Sequence, residues 1–192
     1  MQQLTRYLVI PGWQGSGQDH WQTHWQEILP NTSRVEQLDW DLPDLQSWVA
    51  QLDSQIRAAN TPAILIAHSL GCVNVAHWAS RASDASLALV RGALLVAPAD
   101  VERPGCPEPL RGFAPLPATP LPFPSILIGS DNDRAASASR AIELGQRWGS
   151  ETAILAGAGH INAAAGFHRW DAGFGFLYRL QNTIERRSRK RA

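Results

Sequence analysis

Cysteine is scarce: 192 residues carry only Cys72 and Cys106. Two thiols allow at most one bridge, which excludes a disulfide framework. Long apolar runs are also missing, and none approaches the ~20 residues that a membrane helix needs. The opening MQQLTRYLVIPGW has no extended apolar stretch followed by a small-residue cleavage site, so no signal peptide is expected. Charged residues are few at 18%, and lysine occurs once, at Lys190. Five of the 17 basic residues are Arg186, Arg187, Arg189, Lys190 and Arg191, so the remaining 12 face 17 acidic residues. A net acidic body disfavours nucleic-acid binding, and the basic tail reads as a solvated helix end. The expectation is a cytoplasmic domain spanning residues 1–185, with a basic tail over 186–192, and no nucleic-acid or membrane partner.

What is present is a core. Hydrophobic residues make up 44% of the chain, ordinary for a globular protein. A single fold of this length buries about 70% of the surface its unfolded chain exposes. Short aliphatic runs recur: YLVIPG from Tyr7, AILIAH from Ala63, GALLVAP from Gly92, SILIGS from Ser125 and ETAILAG from Glu151. Near-continuous apolar strands are buried on both faces, which marks a mainly parallel sheet. RVEQL from Arg34 alternates instead and suits an edge strand. Helices are predicted over Gln18–Leu29, Leu45–Ala59, Leu70–Ser80, Ala136–Trp148 and after Phe167. Strand–helix alternation gives a three-layer α/β fold with about six strands and helices on both faces. Nine of the 13 prolines fall between Pro98 and Pro124, which predicts an ordered irregular loop rather than a helical lid. Such a loop either shapes a ligand site or only covers the core.

The run AILIAH passes directly into Ser69-Leu70-Gly71 and a helix. A serine on a sharp strand-to-helix turn lifts its hydroxyl above the sheet, with a helix N-terminus beneath it. Small residues are needed two before and two after, because the backbones approach closely there. Gly71 meets this, while Ala67 replaces the first glycine of G-x-S-x-G with one methyl. A plain helix cap by Ser69 is the competing reading. A serine nucleophile needs a base, which a carboxylate orients, in the chain order Ser, Asp or Glu, His. Asp131 and Asp133 follow SILIGS, and His160 follows the last strand, so all stand past strand C-termini on the same sheet edge as Ser69. For an oxyanion, the N–H of Leu70 and one from the Pro11–Gly17 loop, assigned to Trp13, would serve as donors. That loop lacks the endings of a P-loop or a dinucleotide fingerprint, so no cofactor is expected. His20 and His24 are four apart but lack the glutamate of H-E-x-x-H and a third ligand, so no metal site is expected. His68 should point away from Ser69 by strand alternation.

The segments VIPGWQGSGQDHWQTHW, AHSLGC, LLVAPADVERP, FPSILIGSDND and GAGHINAAAGF together resemble the YdeN-like serine hydrolases, the α/β-hydrolase family that includes the retinoblastoma-binding serine hydrolase. The resemblance spans almost the whole chain; the PGW…HWQ opening and GHIN are its more specific parts. It implies a lidless α/β-hydrolase fold with Ser69 as nucleophile, Asp133 as acid and His160 as base. Asn132 stands where relatives often have the first of two adjacent aspartates, and Ser137 stands where they commonly have proline. The expected activity is hydrolysis of small carboxylic esters, thioesters or amides through an acyl-enzyme. The alternative is a protein-interaction module on the same fold with little turnover.

Overall fold

The computed structural model describes residues 5–190. Six strands form one sheet: β1 (Arg6–Ile10), β2 (Thr32–Arg34), β3 (Ala63–His68), β4 (Val90–Val96), β5 (Ser125–Ser130) and β6 (Glu151–Leu155). Every pairing is parallel, in the order β2-β1-β3-β4-β5-β6. The crossovers are α1 (Trp21–Ile28), α2 (Leu45–Arg57), α3 (Leu70–Ala79), the single-turn α4 (Asp84–Leu87) and α5 (Ala138–Trp148). The last helix, α6 (Phe174–Arg189), closes the chain.

Side-chain alternation divides the core into two layers. Leu8, Ile10, Leu65, Ala67, Ala93, Leu95 and Leu127 pack with Trp48, Leu52, Val73, Trp78, Leu144 and Trp148 of α2, α3 and α5. Tyr7, Ile64, Ile66, Leu94, Val96, Ile126 and Ile128 face Trp21, Trp25, Leu177, Leu180 and Ile184 of α1 and α6. Odd and even residues of one strand thus feed opposite layers, which is why β3, β4 and β5 read as unbroken apolar runs. β6 departs from that expectation: as an edge strand it is only partly buried. β2 is the other edge, three residues long, and it ends at Arg34, where the alternating segment was expected to begin. The ladder extends one step further, from Val35 N–H to the Val9 carbonyl.

α1 starts at Trp21 rather than Gln18, because His20 turns back on Gly17 and caps the helix through Nδ1, which accepts the Gln22 N–H at 3.1 Å. Histidine is not a usual cap, so the sequence pattern carries no mark of this boundary. The proline-rich segment forms one 3₁₀ turn, Glu108–Phe113, and otherwise runs irregularly. Its Leu110, Phe113, Leu116 and Phe123 are buried in the α2/α3/α5 layer, so it covers the core. Its Arg103 also lines a cleft at the site described next. α6 continues through the basic cluster to Arg189, and that cluster is exposed where described; Arg191 lies outside the described residues. Among the described residues no helix is long and apolar enough to cross a membrane.

Candidate active site

β3 delivers Ser69 to the C-terminal edge of the sheet, where the chain must turn at once into α3. The turn places Ser69 at φ 54° and ψ −123°, a conformation that L-residues adopt only under strain. The surrounding backbone enforces it. A Cβ on Gly71 would overlap the carbonyl oxygens of Ile10 and Pro11, so the helix could not otherwise approach β1. A Cβ on Gly12 would lie 2.7 Å from the Ser69 Cβ and 3.1 Å from the Leu70 nitrogen. The loop after β1 therefore passes directly against the turn. Ser69 makes no capping hydrogen bond to α3, which removes the helix-cap reading.

Its hydroxyl goes elsewhere. Ser69 Oγ lies 2.8 Å from His160 Nε2, and His160 Nδ1 lies 2.8 Å from Asp133 Oδ2. A carboxylate only accepts, so the ring proton sits on Nδ1, leaving Nε2 to accept from the Ser69 hydroxyl. The Asp133 side chain is 2% exposed and that of His160 24%, so the acid is sheltered while the ring reaches solvent. Asp133 Oδ1 accepts the Ala135 N–H at 2.8 Å, which fixes the carboxylate plane. Such an arrangement can take a proton from Ser69 and stabilise the imidazolium that results. Among the described residues, the N–H groups of Leu70 and Trp13 have no hydrogen-bond partner, whereas the neighbouring Gln14 N–H donates to Trp40 and the Gly15 N–H to Gly12. Two unpaired donors thus flank the strained turn, Leu70 immediately after Ser69 and Trp13 next to Gly12.

Asp131 does not reach the imidazole. Its Oδ1 accepts the Gly157 N–H at 2.7 Å and ties β5 to the turn after β6. Asn132 Oδ1 accepts both the Gly159 N–H at 2.7 Å and the Ser130 hydroxyl at 2.8 Å, fixing the backbone next to His160. An amide oxygen is sufficient there, so the departure from the Asp-Asp pattern leaves a working acceptor.

Several positioning residues escaped the sequence reading. His68 points away from Ser69 as expected, but its Nε2–H donates to the His160 carbonyl at 2.8 Å, and the two rings lie 4.9 Å apart. Trp21 Nε1–H donates to the Ile161 carbonyl at 2.9 Å. Two ring donors thereby clamp the segment that carries His160. Gln22, fully buried, donates through Nε2 to the Ile10 and Ile66 carbonyls at 3.3 and 3.0 Å. Its Oε1 accepts the Ser16 hydroxyl at 2.6 Å, which links the ends of β1 and β3 to the loop after β1. His20 stacks edge-on against His68 at 4.8 Å. Burial, then the charge of Arg34 and then His160, push the His20 pKa down to about 4. His68 is held well below the usual histidine range, by burial first and by its two histidine neighbours next. Both rings are therefore neutral in neutral solution. Burial raises the thiol pKa of Cys72 and of Cys106, so neither is an activated nucleophile. Among the described residues no cluster of three metal-ligating side chains occurs.

A parallel sheet with the serine elbow after β3, and an aspartate and histidine at later strand ends, defines the α/β-hydrolase class. Within it, the chain belongs to the serine hydrolase family, whose model matches residues 7–179. The structure is similar to a YdeN-like hydrolase from Pectobacterium atrosepticum, with 32% identity over 95% of this chain and 93% of that one, and a TM-score of 0.82. It is also similar to the ydeN gene product of B. subtilis (18% identity, 93% and 99% covered, TM-score 0.76). Est1E from Butyrivibrio proteoclasticus, solved with ferulic acid bound, shares the fold at 12% identity (93% and 90% covered, TM-score 0.66). A search of the curated proteins finds no match.

Proposed function

We propose that this hydrolase cleaves small carboxylic esters, thioesters or amides through an acyl-enzyme on Ser69. The observation that carries the reading is the continuous hydrogen-bonded chain from Ser69 through His160 to Asp133, at 2.8 Å for each link. His160 takes the hydroxyl proton as Ser69 Oγ attacks the carbonyl carbon. The Leu70 and Trp13 N–H groups receive the oxyanion, and His160 returns the proton to the departing oxygen, sulfur or nitrogen. Water then repeats the sequence on the acyl-enzyme. No step calls for a metal or cofactor. Two buried free thiols suit a reducing compartment, which supports a cytoplasmic setting.

Short acyl groups are the expected substrates. The proline-rich segment turns Leu110, Phe113 and Leu116 into the core, so these side chains are not available to line an acyl groove. Long chains draw affinity from such a groove, at ~0.8 kcal/mol per buried methylene. The test is kcat/KM across 4-nitrophenyl esters from acetate to palmitate, for the wild type and Ser69→Ala. Turnover is expected to peak at short chains and vanish in the variant. Undiminished turnover by Ser69→Ala removes the assignment, and a steady climb to palmitate removes the chain-length reading.

A further inference from the structure

An open cleft of about 560 Å3 lies beside His160, lined in part by Asp133, Asn162, Arg103 and Arg134. Ser69 does not line it, so the cleft extends from the imidazole outward rather than around the serine. Arg103 comes from the proline-rich segment after β4, and Arg134 from the turn after β5. Neither has a carboxylate partner among the described residues, and the Arg103 side chain makes only a 3.5 Å hydrogen bond to the Pro104 carbonyl.

The nearby acids are engaged elsewhere. Asp100 and Glu102 both pair with Arg140. Asp131 accepts from Gly157, and both oxygens of Asp133 are taken by Ala135 and His160. Two guanidinium groups thus face the cleft against the single carboxylate of Asp133, and an imidazolium joins them whenever His160 holds the serine proton.

We infer that the cleft holds an anionic leaving group, a carboxylate or phosphate borne on the alcohol, thiol or amine half of the substrate. The inference rests on the hydrolase reading above, because the departing half must lie beside the ring that protonates it. As Ser69 Oγ forms its bond to the acyl carbon, the bond from that carbon to the leaving atom breaks. The leaving atom takes from His160 the proton that came from Ser69, and water later releases the acid and restores the serine. Planar guanidinium groups grip carboxylate and phosphate oxygens two at a time. Arg134 is exposed and Arg103 half-buried, so each contributes about threefold, and the two together about tenfold.

The experiment compares acetate esters of 3-hydroxybenzoate, 3-hydroxyphenyl phosphate and 3-hydroxybenzamide, in which one bond is cleaved with the charge present or absent. The wild type is expected to favour at least one anionic ester over the amide by about tenfold in kcat/KM, and the better of the two names the anion. That ratio should fall toward one in Arg103→Gln/Arg134→Gln, but not in Arg91→Gln at the opposite end of β4. It should also fall in the wild type at about 0.5 M salt, where charges are screened within a few ångströms, an arm that does not depend on a variant folding. Moving the carboxylate to the acyl half, away from Arg103 and Arg134, should bring no gain. Equal rates for all three acetates overturn the inference, as does a preference that survives both the double variant and salt. Failure of the wild type to react with a fluorophosphonate would instead overturn the hydrolase reading itself.

Discussion

Acidification should loosen this fold through His20, and the amount follows from its surroundings. The ring is 7% exposed, packs against His68, and uses its Nδ1 lone pair to cap α1. Protonation would place a charge in that setting and remove the cap. In the folded protein the pKa is pushed down to about 4 from the usual 6.5, which the unfolded chain regains. The folded state therefore binds fewer protons between those values. His20 stabilises the fold fully above pH 6.5, and that contribution is lost as pH falls toward 4. Its total is about 3 kcal/mol, of which about 2 kcal/mol goes between about pH 7 and about pH 5. His68 acts in the same direction. Urea unfolding at the two pH values, for the wild type and His20→Asn, isolates the effect. Asparagine keeps an oxygen to accept the Gln22 N–H but does not titrate. The variant should lose about 2 kcal/mol less than the wild type on acidification. Equal losses in the two proteins would refute the reasoning.

Asp133→Asn should lower kcat by about 10⁴, since the amide cannot stabilise the imidazolium and permits the wrong tautomer. Asp131→Asn should leave kcat within about threefold and lower the unfolding midpoint instead; steady-state rates and urea melts on both variants check this. Gln22→Leu leaves the Ile10 and Ile66 carbonyls without their side-chain donor, at about 1–3 kcal/mol for each buried unsatisfied group. It should reduce both the unfolding midpoint and kcat, because Ser16 of the loop after β1, proposed to supply an oxyanion donor, is released as well; an unchanged kcat would separate that loop from catalysis.

The sequence pattern reached the layers and the members of the Ser69–His160–Asp133 cluster for the same reason. Strands buried on both faces must be apolar throughout, and Ser69, Asp133 and His160, which the fold brings into one hydrogen-bonded cluster, stand where such runs stop. Element edges were less legible. Thr32–Arg34 pairs with β1 although the alternating pattern begins only at Arg34, because an edge strand with one neighbour needs little apolar character. The start of α1 was hidden by a histidine cap. What supports the site was not legible at all. Gln22 meets Ile66 across 44 positions, His68 meets His160 across 92, and Trp21 meets Ile161 across 140. No local spacing marks such contacts, since they exist only once the sheet brings separate strand ends together. Trp21 read as an ordinary core aromatic, and its apolar body does pack there, but its indole N–H holds the loop that carries His160.

Activation of Ser69 by His160 is the central claim, and covalent labelling tests it most directly. The wild type should be incubated with a fluorophosphonate probe near neutral pH, digested, and the modified peptide identified by mass spectrometry. The account predicts one stoichiometric adduct on Ser69, slowed by orders of magnitude in His160→Gln and absent in Ser69→Ala. An adduct on another residue, or equally fast labelling of Ser69 in His160→Gln, would contradict it.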